Sequence, residues 1–265
     1  PLLQDNMVGP TPDPLALSIR HSKSPPFLTC MPHLYGTTGT NSTAGPGIAP
    51  GFRGHTGSMT QLLGGIVLSI AFEESQTRVN LLRAFAGESQ ARNRYTFAAG
   101  ICQEKNLQIL EQIFLYTAGQ EKEHAEIFYN HLKQGGCDNV TITANYPIDL
   151  PDQPLQLLEL ARQHEMDEYG DVYPAFAGKA QEEGFPEIAR HFRQIADIEK
   201  VHAQRFERFA KFLRENRLFV SEVETGWICL NCGHVFTGKQ VPAKCPVCSH
   251  DQGYFIRLEL SPYER

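Results

Sequence analysis

Glutamate and histidine recur at one spacing in this chain. Glu121-Lys122-Glu123-His124 and Glu199-Lys200-Val201-His202 are both Glu-x-x-His. In a helix, a separation of three leaves two side chains about 60° apart, so each pair aims a carboxylate and an imidazole at one point. Glu88 precedes the first pair, and Glu165 the second, at nearly equal intervals: 33 (121 − 88) and 34 (199 − 165). A Glu followed by a Glu-x-x-His, given twice, is a donor set for two metal ions at the centre of a four-helix bundle. Hard carboxylates mixed with imidazoles, with no thiolate nearby, suit iron or manganese. The symmetry breaks once. The third residue after Glu88 is Ala91, but the third after Glu165 is Glu168. Glu168 is thus a seventh candidate beside Glu88, Glu121, His124, Glu165, Glu199 and His202, and a surplus carboxylate gives a metal a choice of partners when its oxidation state changes. Glu123, Asp167, His131, His164 and His191 lie off these positions or lack a partner, and are read as surface residues.

A second chemistry sits near the C-terminus. Cys229-Leu230-Asn231-Cys232 and Cys245-Pro246-Val247-Cys248 are two Cys-x-x-Cys knuckles, separated by the stretch from Gly233 to Lys244. That spacing makes a tetrahedral four-sulfur site. It admits zinc, which would make a structural ribbon, or iron, which would make a one-electron carrier. The other three of the seven cysteines (Cys30, Cys102 and Cys137) are scattered and odd in number, unlike a disulfide framework. They are read as unliganded, and the pattern as that of a reducing, cytoplasmic compartment.

Helical elements must position these donors. Four apolar periodicities run from about Ser75 to Lys105, Leu107 to Gln134, Leu155 to Glu183 and Pro186 to about Arg214, with Gly135-Gly136 and Gly184 as stops and Pro174 as an expected kink. Tight links within each pair and a long Pro-containing link between the pairs give a four-helix bundle with one crossover, the ferritin-like arrangement. The expected organisation is therefore mainly α: a four-helix bundle over residues 59–217, then a small metal-binding β/loop domain over residues 218–265, too small to fold on an apolar core alone. Residues 1–58 hold nine of the 17 prolines and eight of the 22 glycines with no regular period, and are read as a disordered or non-native extension. The net charge of −6 offers no basic field for nucleic acid or an anionic membrane. The longest apolar run, Leu62 to Phe72, is eleven residues against the ~20 a membrane-spanning helix needs.

Two stretches carry a family resemblance. Phe85-Ala86-Gly87-Glu88-Ser89-Gln90-Ala91-Arg92-Asn93-Arg94-Tyr95 resembles the first-helix motif of rubrerythrins, and Glu168-Tyr169-Gly170-Asp171-Val172-Tyr173-Pro174 their third-helix motif. The knuckles, with Trp227 and Phe236 nearby, resemble rubredoxin. The resemblance runs from about residue 75 to the C-terminus. It implies two irons in a carboxylate-bridged (oxo/hydroxo) site held by Glu88, Glu121, Glu165, Glu168, Glu199 and His202, with His124 exchanging against Glu168 on redox change. It places Tyr95 and Tyr173 beside that site and one iron on Cys229, Cys232, Cys245 and Cys248. The activity it implies is a peroxidase reducing hydrogen peroxide in oxidative-stress defence. Electrons would come from a rubredoxin or an NAD(P)H-dependent reductase through the chain's own thiolate iron, in a head-to-tail homodimer. A ferroxidase would use the same bundle but gains nothing from an attached electron donor. An oxygenase would need a substrate pocket. A zinc-ribbon interaction module on a metal-stabilised bundle would carry zinc on the thiolates.

Overall fold

The computed structural model describes residues 70–261. The expectation for residues 1–58, most of the Leu62–Phe72 run and Cys30 lie outside them. Ser75 caps the first helix, its Oγ accepting from the Arg78 N–H at 3.1 Å, and α1 runs Gln76–Glu104. Then come α2 (Gln108–Gln134), α3 (Pro154–Asp167), α4 (Tyr173–Glu182) and α5 (Pro186–Arg214). Prolines at 154 and 186 open α3 and α5, where a missing N–H costs nothing.

Four helices stop in the same way. Asn106, Gly136, Gly184 and Asn216 each take a positive φ, between 54° and 89°. In each case the following N–H bonds back across the turn: Leu107 to the Cys102 carbonyl, Cys137 to Leu132, Phe185 to Ala180 and Arg217 to Phe212, at 2.7–3.1 Å. This is the Schellman stop, for which glycine and asparagine are suited because both tolerate the left-handed region. The two asparagine stops carry no glycine signal, so the sequence alone marks only the other two.

The third helical segment is not continuous. Glu168–Val172 is π-helical, and the Tyr173 N–H bonds to the Glu168 carbonyl five residues back. Pro174 supplies no N–H for the next turn, so the ladder widens just before it. The kink expected at Pro174 is thus a one-turn π segment carrying Glu168 at its start.

Two apolar clusters fill the bundle, one above and one below its polar middle. One contains Tyr95, Phe114, Phe206 and Phe209; the other contains Phe128, Tyr173, Phe192 and Ile195. Residues 135–153 form the long crossover between the helix pairs. Among the described residues no helix is long and apolar enough to cross a membrane.

After α5 the chain forms a three-stranded antiparallel sheet of β1 (Val220–Cys229), β2 (Val235–Gln240) and β3 (Phe255–Arg257), in the order β2-β1-β3. Buried Trp227 anchors it, its indole N–H donating to the Gly238 carbonyl at 2.9 Å. Ile228 and Ile256 of the sheet join the first bundle cluster. The Arg257 guanidinium lies over both Phe212 and Trp227, and donates to the Arg217 and Val220 carbonyls. Gly253 lies tight against the bundle: a Cβ there would stand 2.0 Å from the Asn106 carbonyl oxygen. Gly253→Ala is therefore expected to force the small domain off the α1–α2 turn. The cost is about 1–3 kcal/mol, typical of overpacking, and thermal melting would read it as a drop of several degrees; an unchanged midpoint would show that the turn yields freely.

Candidate metal centres

The helical spacings expected to converge do so. Glu88 on α1, Glu121 and His124 on α2, Glu165 on α3, and Glu199 and His202 on α5 are all at most 4 % exposed. Their donor atoms fall into two groups, each within 4.8 Å: Glu88, Glu121, His124 and Glu199, and then Glu121, Glu165, Glu199 and His202. Glu121 and Glu199 belong to both. Glu88 with His124 completes one group, and Glu165 with His202 completes the other. The approximate twofold symmetry read from the spacing is thus present in space.

The oxygens divide according to that sharing. Glu88 Oε1 accepts from the Tyr173 hydroxyl and Glu165 Oε1 from the Tyr95 hydroxyl, while Oε2 of each has no partner. Both oxygens of Glu199 and Oε1 of Glu121 are also unpartnered. Glu121 and Glu199 oxygens stand 2.9 and 2.8 Å from His202 Nδ1, yet His202 makes no hydrogen bond of proper angle. Buried polar atoms are ordinarily hydrogen-bonded, and isolated buried charges are prohibitively costly. Donors that converge with a single hydrogen bond among them, His124 Nδ1 with Glu121 Oε2 at 3.2 Å, suit cations held between them. Carboxylates and imidazoles with no sulfur suit iron, so this donor set fits a di-iron centre.

Electrostatics agree. Burial, then the charges of Glu199, Glu168 and Glu121, hold the Glu88 carboxyl well above its usual range. Burial and Glu121 do the same to Glu199 and raise Glu165. Burial also raises Glu121, but the His124 and His202 imidazoles beside it outweigh that and hold the carboxyl at about 2. Both tyrosines are kept protonated, first by burial and then by neighbouring carboxylates.

Glu168 stands apart. It belongs to neither group, is only half-buried, and faces a cavity of about 440 Å³. His124, not Glu168, completes the group with Glu88. Two histidines read as surface residues are placed otherwise. His131 is buried, with its Nε2 2.6 Å from His191 Nδ1. His164 Nδ1 lies 2.7 Å from Arg94, which also donates to Gln90 and Asp149. Another cation went unread: Arg205 donates to Thr117 and Gln120 at 2.9 Å and lies over Tyr116. It sits one turn beyond His202, and an arginine on a helix face gives no spacing signal of its own.

The four cysteines of the small domain also meet. Cys229 and Cys248 sulfurs are 3.8 Å apart, and those of Cys232 and Cys245 are 3.7 Å apart. A tetrahedron with metal–sulfur bonds of ~2.3 Å has edges of ~3.8 Å. The two knuckles fold alike, with Gly233 and Ser249 N–H groups bonding the Cys229 and Cys245 carbonyls. Ser249 takes a φ of 62° where the first knuckle has Gly233 at 76°. The His250 N–H bonds the Cys248 sulfur and lowers that thiol to about 6, while burial pushes Cys229 up to about 12. Cys102 lies in the bundle core, pushed up to about 12 by burial and the charge of Glu111, and is no ligand to either group.

Residues 80–210 match the family model described as Rubrerythrin, and residues 227–256 the one described as Rubrerythrin, rubredoxin-like domain. The chain is 44% identical over 184 residues to a Rubrerythrin of Clostridium perfringens, covering 68% of this chain and 93% of the relative. It is 43% identical to one of Porphyromonas gingivalis, covering 71% and 92%, and 41% identical to one of Nitratidesulfovibrio vulgaris, covering 71% and 96%.

Proposed function

The chain belongs to the rubrerythrin family, and from that premise we propose that it is a peroxidase reducing hydrogen peroxide to water. The observation that carries this reading is a four-sulfur site built into the same chain as a two-metal carboxylate site. An oxidant-consuming centre needs electrons, and a thiolate iron is a one-electron carrier. The reaction H₂O₂ + 2 e⁻ + 2 H⁺ → 2 H₂O needs two electrons and two protons, and a one-electron carrier in the same chain would deliver the electrons one at a time.

Glu121 and Glu199 would be shared between the irons, with Glu88 and His124 on one and Glu165 and His202 on the other. Such a pair supplies Lewis acidity and two reversible one-electron changes at the oxidant. The chain's own groups do the rest. Tyr173 and Tyr95 each hold one oxygen of Glu88 and Glu165, so the free oxygen points to the centre. Their phenolic protons stay in place because burial disfavours the phenolate. The aromatic clusters on either side exclude bulk water. Glu168, raised by burial and by Glu165 and Glu121, keeps a proton at the edge of the cavity, where an incoming oxidant would meet it. Its place outside both groups, with His124 inside, supports the exchange of the two on redox change. Exposed Phe97, Ile198 and Val201 on the bundle offer apolar surface for the head-to-tail dimer partner, whose thiolate domain would serve this centre. A rubredoxin or an NAD(P)H-dependent reductase would reduce the thiolate iron.

The test is rapid mixing of the iron-loaded, anaerobically reduced protein with one equivalent of hydrogen peroxide, and separately of oxygen. Return of the ferric-thiolate colour is expected at least about tenfold faster with peroxide. Faster return with oxygen would make the protein a ferroxidase, and an absence of thiolate colour would make the C-terminal site a zinc ribbon.

A further inference from the structure

The crossover is tied to α1 along a single stripe. Arg83 Nε donates to the Thr143 carbonyl at 3.2 Å, the Tyr146 hydroxyl donates to the Arg83 carbonyl at 2.8 Å, Gln90 donates to the Pro147 carbonyl, and Arg94 pairs with Asp149 at 3.1 Å. Residues 83, 87, 90 and 94 follow i, i+4, i+7 and i+11, one face of a helix. Three of them hold the strap, and the fourth is Gly87, which holds nothing.

Beneath the strap lies the cavity of about 440 Å³. Its walls include Gly87 and Tyr146, and also Glu168 and Tyr173, whose hydroxyl bonds Glu88. Of the seven donor residues, Glu168 alone lines it; the other six are buried. The second cavity, between α3 and α5 at Arg162, Met166 and Gln204, touches no donor. A Cβ placed on Gly87 would lie 3.5 Å from the Tyr146 ring, in ordinary contact. A longer side chain would fill the space between them, and the four ties leave the strap little freedom to retreat.

We propose that this chamber is the entrance to the di-iron centre, and that Gly87 sets the size of the ligand it admits. Its volume is many times the ~10–15 Å³ that one water needs on the same measure, so it has room for ligands of the size of hydrogen peroxide or azide. Which oxidant it carries rests on the peroxidase reading, but that it leads to the metals does not.

Azide separates the two, because it binds ferric iron whether or not peroxide is reduced. In the oxidised, iron-loaded protein, azide association is followed by stopped-flow at its iron charge-transfer absorption, for the parent and for Gly87→Ala and Gly87→Leu. The rate is expected to fall about twofold with alanine and at least about tenfold with leucine, at unchanged iron content. Adding Tyr146→Ala to Gly87→Leu should restore most of it, as expected for neighbours that share a space. An unchanged rate in Gly87→Leu, or no recovery in the double variant, overturns the proposal. Should Gly87→Leu lose iron because it adjoins Glu88, Tyr146→Trp narrows the chamber from the strap, away from the metal-binding helices. An unchanged rate there overturns the proposal equally.

Discussion

Replacing Glu121 or Glu199 with alanine is expected to empty both iron positions of the bundle at once, leaving about one iron per chain where the parent holds about three. These two carboxylates alone belong to both donor groups, and their unpartnered oxygens are the ones available to two ions. Glu88→Ala removes a donor from one group only, and should leave an intermediate iron content. Glu168→Ala removes a residue outside both groups, so about three irons should remain while the oxidised spectrum or turnover changes. The ferric-thiolate absorption should persist in all four variants, because the cysteines come from a separate apolar cluster around Trp227 and Phe255. Elemental analysis of each variant, normalised to that absorption, gives the comparison. If Glu121→Ala or Glu199→Ala kept iron equal to that of Glu88→Ala, the carboxylates would not be shared, and the symmetry of the donor groups would carry no chemical meaning.

That symmetry was legible in the sequence to within one residue, and the residue has a physical address. The interval from Glu88 to Glu121 is one shorter than that from Glu165 to Glu199. In the first half Tyr95 follows Glu88 by seven (95 − 88); in the second Tyr173 follows Glu165 by eight (173 − 165). From each tyrosine to its counterpart phenylalanine on the next long helix the counts agree again, 19 from Tyr95 to Phe114 and 19 from Tyr173 to Phe192. The extra residue therefore falls between Glu165 and Tyr173, where the helix widens into its π turn. A five-residue turn absorbs one residue and returns Tyr173 to the level at which its hydroxyl reaches Glu88, as Tyr95 reaches Glu165. Aromatic residues seven positions from Glu121 and Glu199, on either side, build the two apolar layers in the same way: Phe114 and Phe128, Phe192 and Phe206.

What the sequence did not yield depends on pairing across the chain. His131 and His191 lie on different helices, and nothing local marks the first as buried or the second as its neighbour. The strap residues 143–149 show only loop composition, and their ties to α1 are set by which carbonyls fall beside Arg83 and Gln90 and by where Asp149 meets Arg94. Tyr95 and Tyr173 were found through resemblance rather than periodicity, since an aromatic on an apolar face reads as core. Both are indeed core side chains, and their hydroxyls make them more than that.

Stripped of metal, the protein should lose stability as the pH rises from about 6.5 to 8, the reverse of what paired surface carboxylates would give. The sign follows from proton counts in the two states. Glu88, Glu168 and Glu199 are held well above 4.5, and Glu165 above it, chiefly by burial and then by one another's charge. Each holds its proton to a higher pH in the folded chain than in the unfolded chain, which releases it above about pH 4.5. His202, although burial lowers it, is carried to about 11 by the Glu121, Glu165 and Glu199 carboxylates beside it, so it too keeps a proton that the unfolded chain loses above about 6.5. Glu121, held at about 2, has its full stabilising effect above pH 4.5 and adds no slope in this window. Cys248, near 6, pulls the other way, and so below about pH 6.5 do His131, His164 and His191, which burial lowers. Above about pH 6.5, where the unfolded chain has released the protons of these histidines too, the folded state binds more protons, and each is worth about 1.4 kcal/mol per pH unit. With ~2–4 °C per kcal/mol for a chain of this size, the melting midpoint of chelator-treated protein should fall by about 10 °C between about pH 6.5 and 8. Iron must bind the deprotonated donors, so its stabilisation grows over the same range, and the gap between loaded and stripped protein should widen. A flat or rising midpoint in the stripped protein would mean that its buried carboxylates are ionised and compensated within the chain. In that case the unpartnered oxygens of Glu88, Glu165 and Glu199 would no longer argue for the cations they are taken to hold.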